Sequence, residues 1–370
     1  MMLDAYSLGA LRTQPARTML SVGGIAGCVI LMLFLLGVYR GVADGSLEYI
    51  RANRTDLWIL QHNASNILRC TSVLLPVQAA HVAGIPGVET VAPVLLILAT
   101  IGREPEAATV YLAGYNPASG LGGPPTIPIG REPAADDEIV LDAAFARKFS
   151  YLVGDTVTIR NQHLSVVGIS TGTNAFVVQY AFVNLPTAQR LVGVPGLATA
   201  YLVRLSHGAS REAVAPAIRA AVPTVAVFDQ TTFLANNTRE MQAGFLPFIF
   251  TISALGLTVL TVVLSLLLSI HILERRRELA VMKALGAPPC FLGLATIKQA
   301  LMLAGAGGVV ALLLFWPVVE LVQALAPEVA VDVQTTEALW IVGLVAVTAL
   351  ASALVSMQRL RRIYALEAFA

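Results

Sequence analysis

The chain has 370 residues, of which 56% are Ala, Val, Ile, Leu, Met, Phe, Trp, Tyr or Cys and only 13% are Asp, Glu, Lys or Arg, against about a quarter charged in soluble domains. So little charge excludes a water-soluble globule, a disordered chain and a nucleic-acid binder, each of which needs more. Lys plus Arg at 24 nearly balance Asp plus Glu at 23, so any charge signal lies in where the ions sit.

Four stretches carry no Asp, Glu, Lys or Arg: between Arg17 and Arg40, Glu240 and Glu274, Lys298 and Glu320, and Glu337 and Arg359. Each can supply the roughly 20 helical residues that cross a bilayer. The fold class expected is therefore an α-helical membrane protein with four transmembrane helices plus an α+β extracytoplasmic domain. Residues 1–17 form an amphipathic cytoplasmic segment, and the first span covers 18–39. Its apolar run exceeds the ~7 to 15 residues of a signal peptide and no small-residue cleavage site follows, which predicts an anchor that stays. Gly23 and Gly27 make a small-xxx-small pair in it that permits close helix packing.

Residues 40–243 hold fourteen basic and fifteen acidic side chains, a near-normal charge for a domain that folds in water. A strand at 56–60, a helix at 76–83 and a strand at 88–99 are followed, near the end, by a strand at 201–205, a helix at 209–221 and a strand at 225–228. These two β-α-β units predict ferredoxin-like, porter-type halves. Between them, at about 116–200, lies a β-rich insertion. It opens with a Gly- and Pro-dense loop at 119–130, continues with a strand at 139–141 and a helix at 143–149, and includes a hairpin of 157–160 and 164–169 turning at Asn161 and Gln162.

The second span, 244–273, is long enough to protrude as a stalk beyond ~30 Å of hydrocarbon; Pro247 suits the start of its helix. A cytoplasmic loop follows at 274–298. The third span is 299–319, with the packing pair Ala304 and Gly308 and Pro317 as a kink or stop. A short outer loop at 320–337, a fourth span at 338–358 and a tail at 359–370 complete the order. Ten basic residues flank the spans at the N-terminus, the 274–298 loop and the tail, whereas the 320–337 loop has none. Both termini and the basic loop are thus expected in the cytoplasm, and the large domain outside.

Several chemistries lack their residues. No phosphate-cradling G-x-x-x-x-G-K-[S/T] occurs, so this chain is not expected to be an ATPase. His62, His81, His163, His207 and His271 lack metal-ligand spacing, and no nucleophile elbow accompanies the outer Ser and His residues. Cys28, Cys70 and Cys290 fall in three separate places, against any disulfide. The spans carry no Asp, Glu, Lys or Arg at mid-membrane depth, the usual mark of proton or ion coupling. Residues 274–287, ERRRELAVMKALGA, read in two ways: as a charged collar that fixes topology and touches anionic lipid, or as a short helix whose Leu279, Val281, Met282 and Leu285 dock a partner.

The segment RRRELAVMKALGA resembles the FtsX-like and MacB-like permease family of ABC transporters, as do LRTQPARTMLSVGGIAG at 11–27, EIVLD at 138–142, VGDTVTI at 153–159 and the tail RLRRIYALEAFA. DLWIL at 56–60 is most similar to DevC-type and haem-exporter permeases. The tail has Tyr364 and Ala365 where the family often has Asp-Pro. The resemblance implies a bacterial inner-membrane protein without enzymatic activity or a cofactor of its own, working with a separate ATPase subunit that carries ATP and Mg. It implies a homodimer, a periplasmic adaptor as a further partner, and a loop helix that couples to the ATPase through Glu278, Met282, Lys283, Leu285 and Gly286. Two functions fit it. One is export or extraction of a substrate by mechanotransmission; the other is transmembrane signalling that activates a cell-wall hydrolase or sensor.

Overall fold

The computed structural model describes residues 15–67, 69–102, 107–173, 178–274, 289–327, 329 and 331–361. The coupling residues Glu278, Met282, Lys283, Leu285 and Gly286 lie outside the described residues. The chain divides into two compact units, one of Met1–Val38, Pro247–Leu321 and Val331–Ala370, the other of Tyr39–Leu246 with Val322–Ala330.

The first unit is helical. Its elements are parts of α1 (Pro15–Ala52) and α6 (Gln230–Glu274), most of α7 (Pro289–Leu325), and α8 (Thr335–Arg361). Its core is one seam: Ile25, Val29 and Leu33 from α1, Ala300, Ala304, Ala311, Phe315 and Val319 from α7, and Ile341, Val345, Ala349 and Ala353 from α8. The four-residue steps place each set on one helix face, the ridge that interdigitates in helix packing. A Cβ on Gly307 would sit 2.6 Å from Ile25 Cγ2 and 3.3 Å from the Val22 carbonyl oxygen, so α7 approaches α1 this closely only because that side chain is a hydrogen.

Among the described residues, two helices are long and apolar enough to cross a membrane, over Thr18–Ala52 and Ile297–Leu325, and two shorter apolar helical segments lie at Phe250–Val263 and Thr335–Ala351. The proline expectations are corrected in part. Pro317 does not stop α7, which runs on to Leu325, with Phe315 and Val319 buried on either side of it. Pro247 lies inside α6 rather than at its start. That helix begins seventeen residues earlier, where the Asp229 carboxylate accepts the Thr232 N–H at 2.9 Å, an N-terminal cap placed beside the buried Phe233. Likewise α1 continues past Arg40 to Ala52.

The second unit is built on sheets. The two expected β-α-β units, β1 (Leu57–Gln61), α2 (Pro76–Ala83), β2 (Val88–Ile101) and β9 (Ala200–Leu205), α5 (Arg211–Ala221), β10 (Val225–Asp229), interleave into one antiparallel sheet in the order β10-β1-β9-β2. That is the ferredoxin-like arrangement that the two units predict. Strand β2 is 14 residues long and pairs twice: 88–94 with β9, then 95–101 with β3 (Ala108–Tyr115). Through β3 the sheet extends to β8 (Gln179–Asn184), β5 (Glu138–Asp142), β7 (Gln162–Thr171) and the edge strands β4 (Thr126–Gly130) and β6 (Thr156–Ile159). Short helices α3 (Ala143–Lys148) and α4 (Leu185–Val192) follow β5 and β8.

Four features depart from the sequence reading. The 119–130 loop contains β4, an edge strand whose register shifts between Thr126 and Ile129 and so accommodates Pro128. The hairpin turns one residue earlier, at Arg160 and Asn161 with φ of 44° and 67°, the two left-handed residues of a type I′ turn closed by the pair Ile159 and Gln162. Strands β3 and β8 and helix α4 are additions. Val110, Leu112 and Ala113 of β3 and residues 179–183 of β8 are buried, so neither strand shows the in-out alternation that advertises one.

Replacing Gly307 with Leu is expected to cost about 2 kcal/mol through overpacking against Ile25, read as a lower thermal midpoint of the detergent-purified protein. Gly305→Leu, where nothing lies within 4 Å of a new Cβ, is expected to leave the midpoint unchanged.

Candidate functional site: a helix-to-sheet junction

The densest convergence of long-range polar contacts lies in the second unit, where α1 ends and α6 begins. The last four carbonyls of an α-helix lack intrahelical donors. In α1 the Ile50 carbonyl accepts Gln230 Nε2–H at 2.6 Å, and the Tyr49 carbonyl accepts Asn53 Nδ2–H at 2.8 Å. The same Gln230, first residue of α6, accepts the Trp58 indole N–H of β1 on its Oε1 at 2.7 Å. One amide thus links α1, α6 and the central strand of the ferredoxin-like sheet, using both its donor and its acceptor.

Apolar packing surrounds these bonds. Leu47, Tyr49 and Ile50 of α1 and Phe233 of α6 belong to one buried cluster with Trp58, Val94, Tyr115, Tyr180, Phe182 and Leu202 from five strands. Phe233 stacks on Trp58 with centroids 4.7 Å apart, and Tyr49 stacks on Tyr180 at 5.1 Å, separations at which offset aromatic pairs attract. Burial pushes the Tyr180 and Tyr115 phenols upward, so both stay neutral.

Asn53 and Tyr49 also hold the loop after β3. Asn53 Oδ1 accepts the Gly122 N–H at 2.5 Å, and the Tyr49 hydroxyl donates to the Gly122 carbonyl at 2.9 Å. Gly122 has φ of 86°, and a Cβ there would fall 2.5 Å from Val94 Cγ2, so position 122 admits only glycine without strain. Further along α6, Asn237 Oδ1 accepts the Ile67 N–H at 3.1 Å and donates from Nδ2 to the Phe233 carbonyl. Glu240 pairs with Arg69 at 3.0 Å, an exposed contact that contributes little.

Away from the junction, two carboxylates are tuned in opposite directions. Glu138 is held down to about 2, first by the Arg131 guanidinium, which grips both its oxygens, and also by the Ala134 and Ala135 N–H groups, with burial opposing. Burial raises Asp142, against the Ala144 N–H and the Thr173 hydroxyl that it accepts at 2.8 and 3.0 Å. Asp142 caps α3.

Of the residues singled out by sequence, Ala304 and Gly308 lie buried within the first unit, Gly308 facing Val342. Gly23 and Gly27 are exposed, with nothing within 4 Å of a would-be Cβ. The junction residues Tyr49, Asn53, Trp58, Gln230, Phe233 and Asn237 were missed by sequence reasoning. Gln230 meets partners 172 and 180 positions away, and its one local signal is the helix-capping Asp229 before it.

An α+β domain joined to long apolar helices is the architecture of a membrane-anchored protein with a folded domain beside the bilayer. Residues 18–221 match the MacB-like periplasmic core domain, and residues 250–365 match the FtsX-like permease C-terminal region. The chain therefore belongs to the FtsX-like and MacB-like family of ABC transporter permeases, and this membership implies a partner ATPase subunit. An uncharacterised ABC transporter permease of Mycobacterium tuberculosis is 25% identical over 313 residues, covering 84% of this chain and 81% of the relative. Another, of Mycobacterium bovis, is 24% identical over 291 residues, covering 76% and 77%. The periplasmic region of MacB from Actinobacillus actinomycetemcomitans aligns with a TM-score of 0.39 at 14% identity, over 50% of this chain and 94% of that one. The extracellular domain of the noncanonic ABC-type transporter YknZ aligns at 0.37 and 13%, over 48% and 100%.

Gln230→Leu strands the Ile50 carbonyl and the Trp58 N–H, each unsatisfied group costing about 1 to 3 kcal/mol. The urea midpoint of the purified protein is expected to fall accordingly, and an unchanged midpoint would show that the two bonds contribute nothing. For Glu138 the folded value lies below the ordinary 4.5, so its stabilisation is complete above that pH and is lost as pH falls through about 2. Glu138→Gln is expected to flatten the acid dependence of stability between pH 4.5 and 2, measured by acid titration of tertiary-structure signal.

Proposed function

We propose that the protein is a mechanotransmission permease of a bacterial inner membrane. Two copies associate with two copies of a separate ATPase that carries ATP and Mg, and movements of the extracytoplasmic domains export or extract a substrate, with a periplasmic adaptor as a further partner. In this reading four helices span the bilayer at 18–39, 244–273, 299–319 and 338–358, both termini are cytoplasmic, and the loop at 274–298 docks on the ATPase through Glu278, Met282, Lys283, Leu285 and Gly286.

One observation carries the reading: Gln230 and the cluster around Tyr49 and Phe233 tie the ends of both long helices to the sheet. The unit boundaries fall inside those two helices, at 38/39 and 246/247. A displacement of α1 or α6 along its axis is therefore delivered to β1, β3 and β8 through short hydrogen bonds and buried rings, which transmit strain because close-packed interiors deform little. At about 1.5 Å per residue the 38 residues of α1 extend roughly 57 Å and the 45 of α6 roughly 68 Å, each well beyond the ~30 Å of hydrocarbon. The excess is what a lever needs. The open faces of Gly23 and Gly27 support a close approach by the second copy.

Met282→Asp and Leu285→Asp are expected to abolish co-purification of the ATPase, while Gln230→Leu retains co-purification and ATP hydrolysis but loses ATP-dependent movement of the outer domain, followed by a fluorescence distance pair within it and on α1. Undiminished co-purification in both loop variants, or undiminished movement in Gln230→Leu, would overturn the mechanism.

A further inference from the structure

Within the helical unit a cavity of about 350 Å³ opens between α1, α7 and the start of α8, at the lower end of the ~300 to 1,000 Å³ typical of ligand pockets. Among the described residues its walls are Leu33, Leu312, Phe315, Ala338 and Leu339, and the side chains of Gln334 and Thr335 supply a polar end at the head of α8. The Asp332 N–H donates to the Gly37 carbonyl at 3.0 Å and holds the loop before α8 against α1, so the polar end of the cavity is built by a tethered segment. Trp316 lines the cavity at 56% exposure, and Trp340, next in the chain to the lining Leu339, is 80% exposed. Exposed tryptophans on apolar helices mark the depth at which hydrocarbon gives way to headgroups.

We propose that this cavity is a lipid site: one acyl chain of an outer-leaflet phospholipid lies along Leu33, Leu312 and Phe315, with its ester and headgroup at Gln334 and Thr335. The proposal rests on α7 and α8 spanning the bilayer with the 320–337 loop outside. Below the tryptophan level, along Leu33, Leu312 and Phe315, an unfilled void forfeits dispersion contacts along its wall, so a flexible alkyl chain is the matching occupant. In lipid there is no hydrophobic gain on entering such a groove, and retention comes from packing and from the polar contacts at one end. The resulting site is selective for a chain whose ester dipoles reach Gln334 and Thr335, and the bound lipid fills the space between three helices of the seam.

The test uses the full-length protein reconstituted into vesicles of palmitoyl-oleoyl phosphatidylethanolamine brominated on the oleoyl chain, then extracted and washed in bromine-free detergent. In vesicles, the Trp316 fluorescence of a Trp340→Phe chain, taken as its difference from a Trp316→Phe/Trp340→Phe chain that keeps only Trp58 of the sheet unit, is expected to be quenched. After washing, the Trp340→Phe chain is expected to keep its quenching together with one brominated lipid per protein by native mass spectrometry. Adding Ala338→Phe or Leu312→Phe, each of which narrows the cavity, is expected to lower the retained lipid about fivefold, while Leu344→Phe on α8, outside the cavity lining, leaves it unchanged. Two narrowing variants guard against one that fails to fold. If washing removes lipid and quenching as completely from the Trp340→Phe chain as from the narrowed variants, the site is overturned and the spans stand. If Trp316 is unquenched already in the vesicles, the membrane placement of α7 fails and the site falls with it.

Discussion

A single glutamine amide sets the connection on which the rest of the second unit depends. The end of α1 exposes carbonyls that no helical N–H can reach, and the Trp58 indole N–H is buried in a sheet core where an unmade bond is costly. Gln230 answers both, because an amide carries donor and acceptor at fixed separation. A lysine or a glutamate could satisfy one side and would leave the other unmet. Around that amide the stacked pairs Trp58–Phe233 and Tyr49–Tyr180 add buried area from α6 and α1 respectively, so neither helix end can shift without unstacking a ring.

The sheet is suited to receive such a connection. Strand β1, which offers Trp58, is flanked by β10 and β9, so a load applied there meets ladders on both sides. Strand β2 then runs unbroken from the ferredoxin-like part into the pairing with β3, and β3 pairs in parallel with β8, the strand of Tyr180 and Phe182. The buried cluster that holds the two helix ends is accordingly one face of a continuous sheet rather than a separate patch.

The helical unit works by different physics. Between apolar helices in lipid the hydrophobic effect contributes little, and small residues that allow backbone contact decide which faces meet. Gly307 does so against Ile25, and Ala304 with Gly308 lies in the same seam, whereas Gly23 and Gly27 point away from it. The two small-residue pairs, indistinguishable as sequence, therefore have different environments within one chain.

The sequence by itself determined the class of this protein: charge-free runs and the placement of Lys and Arg divide it into apolar helices and a water-folding domain, and the β-α-β patterns at 56–99 and 201–228 mark strands and helices within a residue or two. Those features are legible because they rest on local composition and periodicity. Tertiary structure alone decided the strand order in which the two β-α-β units interleave, that β3 and β8 are strands, and that Gln230, Asn53 and Tyr49 form the junction. Each of these depends on partners more than 60 residues away in the chain, and side chains buried on all sides leave no periodic trace of which neighbour they will meet.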